Sequence, residues 1–180
     1  MLTAQQITKA KNTKLSDNFT LYELIRSDSH PELVTYPTDE VIEALKVLCQ
    51  DVLQPIRDKF GPIRVNSGYR NTRLNSAVGG VSNSIHKVMD SHGISVVGAA
   101  ADIVPLKADV KKVFEQIPEL SKGIKTAIIY RRPSVTRTPF IHVDNRNTRT
   151  ELSMLEKIGP NTYVPYKKEE VTNGRCRIIK

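Results

Sequence analysis

No apolar run in this 180-residue sequence approaches the ~20 residues that a membrane-spanning helix needs. The opening segment, MLTAQQITKAKNTKLSDNF, lacks the continuous apolar stretch of a secretory signal. The chain is therefore expected to be made in the cytoplasm and not exported by a signal of its own. Cysteine is nearly absent: Cys49 and Cys176 lie far apart and form no C-x-x-C pattern, which excludes zinc-ribbon and thioredoxin-like readings. Cys49 sits among apolar residues at helical spacing and reads as a small buried hydrophobe. A disulfide between the two has no support in a cytosolic sequence. There are no internal repeats and no low-complexity tracts. The aromatic-plus-basic signature of an RNA-binding sheet and the spacing of a zinc finger are both missing, so specific nucleic-acid recognition is not expected.

What is present fits one globular domain with a short appendage: 39% hydrophobic and 26% charged residues are ordinary for a folded chain of this length. Net charge is +8, and residues 131–180 hold 11 basic against 5 acidic side chains, so +6 of it belongs to the last fifty residues. Such a bias aids solubility or attracts anionic polymers, cell-wall polymers among them.

Leu15–Ser27 reads as a short helix, with Thr20 as N-cap and Glu23 completing a capping box. After Pro37 and a capping Thr38, the residues Val41, Leu45, Leu48, Val52 and Ile56 form one helical stripe, which Gly61-Pro62 ends. Ile63–Ser67 reads as a strand leading into the turn-rich segment GYRNTRLNSAVGGVSNS, and Gly98–Val104 as a buried strand. Val110, Val113, Phe114 and Ile117 mark an amphipathic helix stopped by Pro118. Strands Ile124–Tyr130 and Pro139–Asp144 follow, joined by the basic loop RRPSVTRT. The order predicts an α+β domain with N-terminal helices packed on a small antiparallel sheet. Residues 150–180 read as a small extension without an assigned place.

Three residues stand out chemically. In FIHVDNR, strand alternation puts Phe140, His142 and Asp144 on one face, where a histidine beside a carboxylate serves either as a ligand or as a structural hydrogen bond. Asp102 interrupts an apolar strand in GAAADIVP. A buried carboxylate needs a cation, a metal or several donors, and Arg64 is the alternative to a metal there. His86 lies in SNSIH, a loop rich in residues that bend a chain.

The ordered motifs LSDNFTLYELIRS, VNSGYRNTRLNSAVGG, SNSIH, GAAADI and FIHVDNR resemble the zinc D-alanyl-D-alanine carboxypeptidase family, the fifteenth family of metallopeptidases, over roughly residues 15–149. That family includes phage endolysins and shares its fold and metal site with the hedgehog signalling domain. The resemblance implies one zinc ion held by His86, Asp102 and His142. It implies Arg70, the arginine of SGYR, as the group that stabilises an oxyanion or binds a carboxylate, with Ser67, Tyr69 and Ser84 beside the substrate. The substrate it implies is a stem peptide of bacterial peptidoglycan, cut at D-Ala–D-Ala or at an internal link.

Two features depart from the family pattern. Fifteen residues separate His86 from Asp102 where relatives have about six, so KVMDSHGISVV reads as an insertion that brings a rival ligand, His92. Many relatives place an acid where Pro139 stands, which leaves Asp144 as the expected general base or, failing that, as the partner that orients His142. A phage lysin or virion protein acting on the cell wall is the expected setting. A non-catalytic, zinc-stabilised wall-binding or virion module is the competing one.

Overall fold

A computed structural model describes residues 1–90, 92–131, 138–172 and 175–178, with the backbone alone for 169–172 and 175–178. Helix α1 (Ala4–Asn12) opens the chain. Its only buried residue is Ala10, so no apolar stripe announces it, but Thr3 and Gln6 form a reciprocal cap at 3.0 and 3.2 Å. Helix α2 (Leu21–Ile25) is shorter than the Leu15–Ser27 expectation. The Glu23 carboxylate accepts from both the N–H and the hydroxyl of Thr20 at 2.9 Å, which starts the helix there. Leu15 and Phe19 are buried from the turn before it.

The stripe after Thr38 forms α3 (Asp39–Leu48), a π-helical turn (Cys49–Leu53) and α4 (Gln54–Phe60) in one run. The π turn precedes Pro55, whose ring would clash with a carbonyl in a tight α turn and which has no N–H to donate. Widening by one residue still leaves Leu48, Cys49, Val52, Leu53 and Ile56 buried. Cys49 is a free buried thiol, as expected, and the Cys176 side chain lies outside the described residues.

Strand β1 (Ile63–Ser67) has the expected bounds. The segment read as turns contains helix α5 (Thr72–Ala77), started by Asn71, whose side chain accepts from the Leu74 N–H at 2.9 Å. Next come β2 (Ala100–Pro105) and α6 (Val110–Leu120). Pro118 sits inside α6 instead of stopping it: in a last turn its missing N–H forfeits a single bond, and the Ser121 N–H still reaches Ile117 at 3.0 Å. Strands β3 (Thr126–Tyr130), β4 (Phe140–Asp144), β5 (Ser153–Gly159), β6 (Thr162–Pro165), β7 (Glu169–Thr172) and β8 (Arg175–Ile178) complete the chain. Most of the basic loop between β3 and β4, residues 132–137, lies outside the described residues.

The fold is α+β, with a six-stranded sheet in the order β1-β2-β4-β3-β5-β6 and a separate β7–β8 hairpin. The antiparallel expectation needs one correction: β3 and β5 pair in parallel, because the chain leaves β4 and returns on the far side of β3. Residues 153–165 thereby gain a place, as two more strands of the same sheet. Ala101, Ile103, Ala127, Ile129, Ile141 and Val143 face one side and join the helical core around α6. Asp102 and His142, paired across β2 and β4, face the other side with Ile128.

A bulge in β1 shifts the pairing so that Val65 lies opposite Ile103 but Ser67 opposite Asp102. Beyond it, Gly68 presses against α2, where a Cβ would stand 2.3 Å from the Leu24 carbonyl oxygen. The adjacent Tyr69 N–H donates to that same oxygen at 2.6 Å. Gly68→Ala should lower stability by about 1–3 kcal/mol, since backbone and not a flexible side chain must move. Urea unfolding of the two proteins measures it.

Candidate metal centre

His86 is carried on a single 3-10 turn (Ile85–Lys87). Its ring is buried, and Nδ1–H donates to the Gly68 carbonyl at 2.8 Å, which turns Nε2 toward the sheet. The Arg70 N–H donates to the His86 carbonyl at 2.9 Å, so the segment after β1 clips this turn twice. Val88, which ends the turn, has φ 68 and is fully buried. For a β-branched residue that is a strained conformation, held only because the surroundings over-determine it.

Asp102 projects from the middle of β2. Its Oδ1 lies 2.9 Å from His142 Nδ1 and 3.5 Å from His86 Nε2. One donor atom from each of His86, Asp102 and His142 falls within 4.8 Å of the others. Ligands ~2.1 Å from one tetrahedral ion stand ~3.4 Å apart, so the spacing suits a single metal. Arg64, the alternative partner for Asp102, bonds Asn66 at 2.9 Å instead. Burial alone would raise the Asp102 pKa, but the two imidazoles outweigh it and hold the carboxyl well below the usual range. Burial pushes His86 down. His142 is pushed up to about 9 against its own burial, because a carboxylate faces each of its nitrogens.

The second of those carboxylates is Asp144. His142 Nε2–H donates to Asp144 Oδ2 at 3.2 Å, on the ring edge away from Asp102. Asp144 is fully buried and gripped by the Arg146 guanidinium, through Nε to Oδ1 at 2.8 Å and through Nη2 to Oδ2. Burial would raise its pKa, but Arg146 and His142 bring it down to about 2. Gly98, at φ 112, lets the entry to β2 lie on this clamp, since a Cβ would stand 2.7 Å from Arg146 Cα.

Of the other expected site residues, Ser67 lies opposite Asp102, and buried Ser84 immediately precedes the His86 turn. Arg70 is close enough to Asp102 for the carboxylate to offset part of the burial that lowers its pKa, and its Nε is buried with no hydrogen-bond partner. Tyr69, between the two residues that bond His86, packs part of its ring on the core, and burial raises its phenol. His92 is exposed, in a loop whose N–H groups at 92, 94 and 95 all donate to Asp90, and it does not join the cluster. Two neighbours of the site were not anticipated, Arg146 and Tyr130. The first stood in FIHVDNR, two residues after Asp144; the second has no local signal beyond its place at the end of β3.

The sequence matches the family model described as Peptidase M15 over residues 17–144, well over half of the chain. The chain belongs to peptidase family M15. It is thus a metallopeptidase, and among the described residues the His–Asp–His group could hold a metal. No match to a curated protein was found. The matched stretch includes Arg70, His86, Asp102, His142 and Asp144, and ends where β4 ends. Among the described residues, no helix is long and apolar enough to cross a membrane.

Alanine at His86, Asp102 or His142 should each remove most bound metal, because two remaining donors hold an ion poorly. His92→Ala should leave metal content unchanged. Metal analysis after equilibrium dialysis of the four variants checks this.

Proposed function

We propose that this M15 peptidase uses one zinc ion to hydrolyse peptide bonds of peptidoglycan stem peptides, as a D,D-carboxypeptidase or as an endolysin-type endopeptidase. The observation that carries the reading is Arg70, a half-buried guanidinium with an unpartnered Nε beside the His–Asp–His group. A guanidinium held beside the His–Asp–His group offers charged donors that suit a substrate oxygen or carboxylate. Two imidazole nitrogens and one carboxylate oxygen form a donor set that suits zinc. Zinc bound there supplies Lewis acidity toward a carbonyl oxygen and activates water.

The chain's own residues orient the substrate. Arg70 presents fixed donors to the oxygen that gains charge at the scissile carbonyl. Ser67, beside Asp102 on the same sheet face, and Ser84, ahead of the His86 turn, line the approach. Residues 1–149 form the peptidase domain and 150–180 an extension of it, a division supported by the pairing of β5 on β3. The basic last fifty residues draw the protein to anionic wall polymers, in keeping with a phage lysin or virion protein that acts on the cell wall. Pro139, standing where many relatives have an acid, favours the rival reading of a zinc-stabilised wall-binding module.

Digestion of purified peptidoglycan, followed by mass spectrometry of the fragments, separates the two. The expected outcome is release of stem-peptide fragments that stops on chelation and resumes with zinc. Arg70→Lys keeps the charge but not the planar fork, and should slow release at least ~100-fold with zinc still bound. A wild-type protein that holds zinc and releases nothing would leave the binding module standing.

Asp144 fits a positioning residue better than the expected base. Both of its oxygens are engaged by Arg146 and the His142 ring, and it lies on the edge of that ring away from Asp102. Asp144→Asn should therefore weaken zinc affinity by roughly 10–100-fold, with excess zinc restoring most of the rate. Loss of turnover with full zinc occupancy would return Asp144 to the role of base. Titrating zinc into the variant during digestion distinguishes these outcomes.

A further inference from the structure

The metal-site face of the sheet continues into strands that lie beyond the family match. Across it runs a row formed by Asp102 on β2, His142 on β4, Ile128 on β3 and Leu155 on β5. Two residues further along each of the last three strands stand Phe140, Tyr130 and Lys157, with Tyr163 of β6 opposite Lys157. Alternation puts this second row on the same face, ~7 Å from the first. Phe140 and Tyr130 stack, with ring centroids 4.2 Å apart and planes at 16°. The Lys157 ammonium lies 5.2 Å from the Tyr130 ring centre and 5.5 Å from that of Tyr163. Phe140 stands two residues before His142 on the same face of β4, so the second row adjoins the metal-site row.

Among the described side chains, none pairs with the Lys157 charge as a counter-ion. Glu156, the nearest acid in sequence, faces the other side of β5 and pairs with Arg131 at 3.1 Å. Among the described residues, no carboxylate lies within ion-pair distance of Lys157, and the two rings alone hold its ammonium. Ring faces attract a cation without neutralising it, so it keeps its capacity for an anion. Phe140 already covers the Tyr130 ring, and Lys157 lies over it too, which leaves it poorly placed as a platform for a sugar. The row thus sets one cation, Lys157, among aromatic rings two strands from His142 on the metal-site face.

We propose that Lys157, braced by Tyr130 and Tyr163, is a specificity-determining residue that receives a carboxylate of the substrate peptide. This rests on the reading of the site as a stem-peptide peptidase. A stem peptide offers that carboxylate from two sources, its C-terminus and an acidic side chain, and the test distinguishes them.

The probes are a synthetic stem pentapeptide ending in D-Ala–D-Ala, its C-terminal amide and a form with the side-chain carboxylate amidated. Binding is measured by calorimetry on the zinc-loaded protein, with non-cleavable ketomethylene links in place of the peptide bonds of each probe. Lys157→Met keeps the stem of the side chain and should bind the free acid ~10-fold more weakly, the scale of one charge-assisted contact, while Lys157→Arg retains most of the affinity. The control Lys59→Met, at an exposed lysine on α4, should change nothing. Whichever amidation abolishes the difference between wild type and Lys157→Met identifies the carboxylate. In the zinc enzyme, Lys157→Met should raise KM with kcat nearly unchanged. If Lys157→Met binds all three peptides as the wild type does, or if neither amidation weakens wild-type binding, the proposal is wrong. A wild type that binds with this preference but cleaves no peptidoglycan would overturn the peptidase reading and leave the Lys157 subsite in place.

Discussion

A carboxylate in the middle of a buried strand organises this half of the molecule. Asp102, with one-fifth of its side chain exposed, sits between buried Ala101 and Ile103 on the second strand of the sheet, where a charge without partners is costly. Two imidazoles answer that cost from different directions. His142 comes from the neighbouring strand, opposite Asp102 in the ladder. His86 comes from outside the sheet, and needs a tight turn, a strained Val88 and a glycine at 68 to arrive with Nε2 facing inward. The β1 bulge, the Tyr69 bond to Leu24 and the Arg70 bond to His86 hold that approach in place.

The outer partners follow the same logic. Each histidine uses one nitrogen toward Asp102 and has the other engaged, by a carbonyl for His86 and by a carboxylate for His142. The carboxylate behind His142 is itself fully buried, so it needs Arg146. Charge thus alternates outward from the centre: carboxylate, imidazole, carboxylate, guanidinium. The imidazoles can neither rotate nor exchange tautomers without breaking a buried hydrogen bond, and that fixes which nitrogens remain for a metal.

What was legible in the sequence was whatever local pattern controls. The α3 stripe and β1 were readable because apolar spacing and the flanking Gly-Pro act over a few residues. The grouping of His86, Asp102 and His142 was readable because Ser84-x-His86, GAAADI and FIHVDNR stood in a recognisable order, and the neighbours of His86 set it apart from His92, which does not join the group. Helices α1 and α5 escaped because one buries a single alanine and the other is started by an Asn71 cap inside a segment full of turn formers. The π turn depends on Pro55 meeting a helix already committed to burying both Cys49 and Val52. Arg146 stood in plain view, but its grip on Asp144 arises from a turn at the end of β4. Lys157 and Tyr163 reach the site only because β5 crosses to pair in parallel with β3, a long-range choice that no spacing encodes.

The scatter of the three donors along the chain has a thermodynamic consequence. Residues 86, 102 and 142 come from a turn and two different strands, so an unfolded chain offers a metal no two of these donors close together. The ion then distinguishes folded from unfolded chains almost completely, and by linkage its whole binding free energy acts on the folding equilibrium. At a free concentration a hundred times its dissociation constant, that adds ~2.7 kcal/mol to the folded state. Scarcity of metal would therefore reach this protein twice, through lost chemistry and through a larger population of open chains exposed to proteolysis.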